Sequence, residues 1–393
     1  MLGNGFDLGL GLHTRYTDFL NKRYLKKTVK KGSPIDKMFV EILKTKNAEC
    51  WGDAEIAFGR LPFSEFSTKT EVSFVECERD FHLDLCSYLS DEESRLVIPE
   101  QDRGAVSDSF SRAISELFFK LAEGPQRRYV SSLIRDNTHV INFVNFNYTG
   151  TLETVLGDVS PRRVLYEITS GTDVELKFTL GDIVHVHGDL KSGNTIFGVS
   201  ECEQILDEEM VALCEEEGYF IKSSIDEKIG QNRGEQVRQI LESSDIVVTY
   251  GLSFGESDVH WWEFLLNCSR RNPSLSLILC PFRCDGPEEK TQNDIFYEKA
   301  LAWRNFKRNI DVGVNQNALR VLKTHAHIVL PGNHREPDGC VEYCDPLCLK
   351  WIGKNYVRYY VDGDKKYAQT STNPVVAKAI DAHNQRIESQ NGN

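Results

Sequence analysis

The sequence predicts an α/β protein in which a parallel sheet is interrupted early by a mainly helical insertion. Apolar, β-prone runs alternate with helical patterns from 235 to 330, as parallel α/β units do. A helical stretch over 32–125 separates a glycine-rich opening from the next strand signals. Three chemically distinctive segments each sit at the end of an apolar run. They are Gly3-Asn4-Gly5-Phe6-Asp7, Asn145-Phe146-Asn147 with His185-Val186-His187-Gly188, and Gly251-Leu252-Ser253-Phe254-Gly255-Glu256-Ser257-Asp258. Ligands of an open parallel sheet bind beyond the carboxyl ends of its strands, so segments far apart in the chain can meet on one ligand.

Taken in order, only Met1 and Leu2 precede the first glycine, so the first strand is expected to be truncated or to begin upstream. A helix is expected over 13–27. Within 32–125 the clearest helix runs from Ser107 to Ala122, where Phe110, Ile114, Leu117, Phe118 and Leu121 recur at helical spacing and Gly124-Pro125 ends the run. Strand signals follow at 138–146, 163–168, 183–187 and 195–199. Then come a helix at 235–242, the strand 245–250, a helix at 258–268, the strand 275–280, a helix at 289–308 and a strand at 327–330. This organisation divides the chain into a discontinuous core (1–31 and 126–335), a helical insertion (32–125) and a C-terminal extension (336–393), polar and disordered at its end.

Composition narrows the function classes. A net charge of −13 argues against nucleic acid as a partner, since phosphate neutralisation drives that binding. The basic run Lys22, Arg23, Lys26, Lys27, Lys30 and Lys31 reads as a solvated helix face. No apolar run is long enough to span a bilayer, so no membrane partner is expected. Eleven cysteines without a secretory signal indicate free thiols and a cytoplasmic protein. Cys340, Cys344 and Cys348 near His334, echoed by Cys280 and Cys284, are the nearest approach to a metal cluster, and no metal is expected.

Gly3-x-Gly5 suits a tight turn whose N–H groups face a phosphate, but Leu8 stands where the full dinucleotide fingerprint has its third glycine. Taken alone, an ordinary turn explains it as well. Asn147 at a strand end offers an amide for a ribose hydroxyl or a water, or simply forms a turn. His185-x-His187 places both imidazoles on one face of a strand, with room for a ligand at Gly188. That fits a general base, or a metal pair with His325-x-His327, for which carboxylate ligands are lacking. Gly251-x-Ser253-x-Gly255 also spells a nucleophile elbow, with Asp311 and His325 or His327 downstream.

Together these segments resemble the abortive-infection AbiH family, a bacterial phage-defence group related to sirtuin-like NAD-binding domains. The resemblance rests on the opening through Asp18-Phe19, on Trp51-Gly52-Asp53-Ala54-Glu55, Asn147-Tyr148-Thr149, His187-Gly188 and Ile196-Phe197-Gly198, and on Tyr250 through Asp258. It covers about residues 1–265. It implies a sirtuin-like, Rossmann-type parallel sheet and a set of roles. The glycine turn (Gly3, Asn4, Gly5, Phe6, Asp7) would face the diphosphate. Asn147 would orient the nicotinamide ribose and the attacking group, and His187 would be the catalytic histidine. Gly251 and Ser253 would hold the adenosine-side ribose, with Gly188 beside the site and Asp7 or Asp258 on ribose hydroxyls. His13 stands where the family has proline, and Thr149 where sirtuins carry aspartate. The paired Cys-x-x-Cys zinc module of protein deacylases is absent, which excludes lysine deacylation.

The expected function is therefore a phage-defence effector that hydrolyses NAD at the nicotinamide–ribose bond, switched on by a phage-derived or host trigger. NAD is its substrate or ligand, and a homo-oligomer is left open. Two other readings stand beside it. One is a module that senses NAD or ADP-ribose without turnover and signals to a partner. The other is a serine hydrolase acting through Ser253.

Overall fold

A computed structural model describes residues 1–24, 51–60, 71–117, 138–170, 173–282, 291–335, 341–344, 346–361 and 365–368. Lys26, Lys27, Lys30, Lys31, Cys284, Cys340 and the polar tail from 369 lie outside the described residues. The elements are α1 (Gly5–Gly9), α2 (Tyr16–Tyr24), α3 (Trp51–Gly59), α4 (Glu71–Glu93), α5 (Arg103–Leu117), β1 (Thr138–Asn145), α6 (Thr151–Leu156), β2 (Val164–Ser170), β3 (Asp173–His185), α7 (Glu208–Glu217), α8 (Lys222–Lys228), α9 (Arg233–Glu242), β4 (Ile246–Tyr250), α10 (Val259–Arg271), β5 (Ser276–Cys280), α11 (Gln292–Phe306), α12 (Val312–Thr324), β6 (Ala326–Ile328) and α13 (Leu349–Tyr356). Short antiparallel pairs join Gly332–Arg335 to Val341–Cys344 and Arg358–Val361 to Lys365–Ala368. Among the described residues no helix is long and apolar enough to cross a membrane.

The molecule is mixed α/β, and its sheet is mainly parallel. β1 pairs with β3 and β4 with β5, which pairs with β6, all in parallel; β2 is antiparallel to β3. Leu2 joins the two halves as a bridge residue, parallel to Asn145 on one side and Tyr250 on the other. The order is thus β2-β3-β1-Leu2-β4-β5-β6. Main-chain bonds from Leu2 N to Val144 O (2.8 Å) and from Phe146 N to Leu2 O (2.9 Å) fix one side. Tyr250 N to Met1 O and Gly3 N to Tyr250 O (both 2.9 Å) fix the other. The very short first strand therefore occupies the centre of the sheet, because neighbours on both sides satisfy its backbone. Its carboxyl end opens directly into the glycine turn.

Three apolar clusters flank this sheet. Phe6, Leu10, Phe110 and Phe178 fill one side together with Leu349, Ile352 and Tyr356, so residues beyond 335 belong to the same core as α1. Gly353 allows that approach, since a Cβ there would overlap the Leu10 carbonyl. Val144, Val247, Trp262, Leu277 and Phe306 pack on the other side. A third cluster is aromatic and clamps the helical insertion over the carboxyl edge of the sheet. Phe58 of α3 lies 5.7 Å from Phe197 and 5.1 Å from Phe220, and Phe81 and Tyr88 of α4 join them. The Phe58–Phe197 pair is edge-to-face and the Phe58–Phe220 pair tilted, and such ring pairs combine large apolar burial with a preferred geometry.

Several sequence expectations need correction. No strand forms at 195–199; only Val199 makes a bridge, to Ile221. The strand expected at 183–187 is the end of a longer one that stops at His185, leaving His187 in a turn. The helix expected from 13 starts at Tyr16, and α7, α8, α12 and α13 were not anticipated.

Candidate functional site

The carboxyl ends of the central strands open into a cleft of about 670 Å³, counting its mouth. Gly3, Asn4, Asp7, Asn147, His187, Ser253 and Asp258 line it, so all three sequence segments converge there. Gly5, Phe6, Gly188 and Gly251 do not line it; they make the close packing behind it.

Gly5 and Gly251 touch through their backbones. A Cβ on either would overlap the other, and Gly5 N donates to Gly251 O at 3.0 Å. Gly251 also holds φ +62°, where a side chain is strained. The N–H groups of Gly3, Gly5 and Phe6 are taken by the carbonyls of Tyr250, Gly251 and Gly3. Phe6 is wholly buried with its ring edge-on to Phe110 (5.9 Å). Gly188, at φ +76°, has its Cβ space filled by the Asn194 carbonyl and the Arg233 guanidinium.

Two residues at helix starts decline the local role their side chains would normally take. Asn4 precedes α1 but makes no capping bond. It instead accepts from Thr14 Oγ1 (2.6 Å) and donates to Thr14 O (3.1 Å). Asp258 precedes α10 and likewise leaves the helix uncapped. Its Oδ1 lies 3.0 Å from Lys222 Nζ and 3.1 Å from His187 Nε2. A residue that gives up a favoured cap for a buried charge contact marks a site where local preference has been overruled.

The charged chain runs further. Lys222 Nζ also lies 2.7 Å from Glu55 Oε2 of α3, so the insertion supplies a wall of the cleft. Burial alone would lower the Lys222 pKa, but Asp258 and Glu55 outweigh it and raise it. Burial would raise Asp258, yet Lys222 and His187 hold its carboxyl well below the usual range. Burial raises Glu55 against the opposing pull of Lys222. His187 itself is packed edge-on against Phe146 (5.6 Å) and beside Tyr148 (6.3 Å).

Asp7 is differently employed. Its two oxygens accept from Thr149 Oγ1 (2.7 Å) and Thr151 Oγ1 (2.6 Å), and burial pushes its pKa up to about 6. Thr149 thus partners an aspartate from α1. His185 turns away from the cleft. Its Nε2 lies 2.8 Å from Glu153 Oε1 and its Nδ1 3.0 Å from Asn147 O, so the two histidines do not form a pair.

Ser253 makes no hydrogen bond to a histidine among the described residues. The left-handed residues of its loop are Gly251 (φ +62°) and Phe254 (φ +53°), not the serine that an elbow would strain. His327 sits on β6, with β5 between it and β4, and Asp311 Oδ1 accepts from Gly313 N (2.9 Å). Among the described residues no group of three or more His, Cys, Asp or Glu could hold a metal ion.

Glu55 and Lys222 were missed as site residues from sequence. The one signal was the glutamate ending Trp51-Gly52-Asp53-Ala54-Glu55; Lys222 had none, since its partners lie 36 and 167 positions away.

No curated protein and no solved structure matches this chain. A family model described as bacteriophage abortive infection AbiH matches residues 1–278, a span that contains every residue placed at the cleft. On that match the chain belongs to the bacteriophage abortive infection AbiH family.

Proposed function

We propose that this cleft hydrolyses NAD at the nicotinamide–ribose bond, in the cytoplasm, as the effector step of abortive infection. The observation that carries the reading is His187 beside the Asp258 carboxylate, in one cleft with Asn147, at the carboxyl ends of parallel strands. The chemistry asks little more. Nicotinamide is a cationic leaving group and departs neutral with the bonding electron pair, so no acid is needed for it. Water adds to the oxocarbenium-like ribose carbon as the C–N bond breaks. His187 takes the water proton, and the ionised Asp258 stabilises the imidazolium that results. Asn147 Oδ1, without a protein partner among the described residues, is available to orient water or ribose.

One observation favours a second reading, a nucleotide-sensing module without turnover: the N–H groups of Gly3, Gly5 and Phe6 are already committed to protein carbonyls. Nicotinamide release from NAD, measured with chelator present for wild type and His187→Ala, separates the two. Release that the variant lowers by about 10²-fold or more, with binding retained, supports the hydrolase. Saturable NAD binding without release by either protein favours the sensor. A folded protein that neither binds nor cleaves NAD overturns both.

A further inference from the structure

We infer that Glu55, carried into the cleft by the helical insertion, is a ligand-contacting residue that together with Asp258 receives the vicinal hydroxyls of a ribose. This rests on the reading of the cleft as a nucleotide site. The open polar atoms decide which part of a nucleotide belongs here. Glu55 is 6% exposed, and Oε2 is bound by Lys222 while Oε1 has no partner among the described residues. Asp258 Oδ1 faces Lys222 and His187, while Oδ2 likewise has none. Asp7 also lines the cleft, but both its oxygens are filled by threonine hydroxyls, so it has little left to offer.

Among the described residues that line the cleft there is no lysine or arginine. A phosphate placed between these carboxylates would be repelled. A vicinal diol brings two O–H donors and no charge, which matches two carboxyl groups that each hold one oxygen in reserve. Lys222 makes the arrangement sustainable, since one shared cation offsets part of the cost of burying two acids side by side.

The helix that delivers Glu55 is fixed at its far end to Leu206 and to the site loop. Leu206 N donates to Gly59 O (3.0 Å), and Arg60 Nη2 pairs with Glu256 Oε1 (2.9 Å), two residues before Asp258. Recognition of the sugar is thereby divided between the insertion and the sheet.

The test is calorimetric binding of ADP-ribose, and of its analogue lacking the 2-hydroxyl of the terminal ribose, to the full chain and to Glu55→Gln. Wild type is expected to bind the analogue about tenfold or more weakly than ADP-ribose, as loss of a hydrogen bond to a charged group implies. Glu55→Gln is expected to lose about as much affinity for ADP-ribose and to discriminate no longer. A Glu55→Gln variant that keeps both affinity and discrimination overturns the assignment and leaves Glu55 as a counter-ion of Lys222. Should that variant not fold, Glu55→Asp keeps the charge on Lys222 but shortens the reach, and is expected to lose discrimination in the same way. Failure of folded wild type to bind ADP-ribose or NAD would instead remove the nucleotide reading, and this assignment with it.

Discussion

The side-chain amide of Asn147 donates to the main-chain oxygen of Gly3 at 3.1 Å, tying the end of β1 to a turn 144 positions earlier in the chain. Asn147 is 7% exposed, so its loss strands a buried carbonyl. Asn147→Ala is expected to destabilise the fold by about 1–3 kcal/mol, read by urea unfolding. Asn147→Asp, which has no N–H to offer Gly3, is expected to be no better. An unchanged unfolding midpoint in both variants would show that this bond does not hold the turn.

Lys222 is the hub of the buried charges. Lys222→Met leaves Glu55 and Asp258 as two uncompensated buried carboxylates, a loss expected to cost about 3–5 kcal/mol. Adding Glu55→Gln to that background removes one of the two charges and is expected to recover part of the stability. The pH dependence follows from the pull of Lys222, which lowers the pKa of both Glu55 and Asp258, so that its removal raises both in the folded variant. An acid with a raised folded pKa weakens the fold above its ordinary value, 4.5, and stops doing so below it. The stability gap between Lys222→Met and wild type should therefore narrow on acidification. A gap that is constant across pH would place the cost in packing rather than in charge.

What the sequence disclosed, and what it hid, divides along the range of the interactions. Val140–Val144 and Ile246–Tyr250 are short apolar runs rich in β-branched residues, Leu275–Cys280 is a leucine-rich one, and each forms a parallel strand or most of one. Because strand ends meet at one edge, the residues that follow them were readable as a shared site before any contact was known. Most of the long β3 was missed, although Val174, Leu176, Phe178 and Leu180 alternate with polar neighbours in the period of a half-buried strand. The residues 195–199 look equally strand-like, yet only Val199 pairs. Residue roles were harder. Nothing near Lys222 announces a buried cation, because its partners come from α3 and the loop before α10. Gly5 and Gly251 looked like phosphate turns, and no local pattern records that each leaves space for the other.

Asp7 gives a pH signature of its own. Burial raises its pKa from an ordinary 3.8 to about 6, against the pull of Thr151 and Thr149. The native state thus binds the proton more tightly than the unfolded chain. Stability contributed by protonated Asp7 is complete below 3.8 and is lost as pH rises to about 6. Asp7→Asn has no such dependence, so its stability relative to wild type should improve across that window by about 3 kcal/mol. Thermal or urea unfolding of both proteins from pH 4 to pH 7 reads it. Parallel curves would mean that Asp7 titrates as an ordinary acid.

The glycines offer a contrast that separates close packing from mere flexibility. At Gly251 an alanine Cβ would overlap Gly5 and force a side chain onto φ +62°. Gly251→Ala is expected to cost about 2–4 kcal/mol from the two effects together. The same overlap arises from the other side at Gly5, which also meets Phe282, so Gly5→Ala should be comparably damaging. Gly104 lies near the start of α5, exposed, with nothing near where its Cβ would go. There alanine is expected to stabilise by about 0.5–1 kcal/mol, because it narrows the unfolded ensemble without straining the folded one. Urea midpoints for the three variants decide the matter. Tolerance of alanine at both Gly5 and Gly251 would mean that the two turns separate readily, and the cleft they frame would then be open to rearrangement when a ligand arrives.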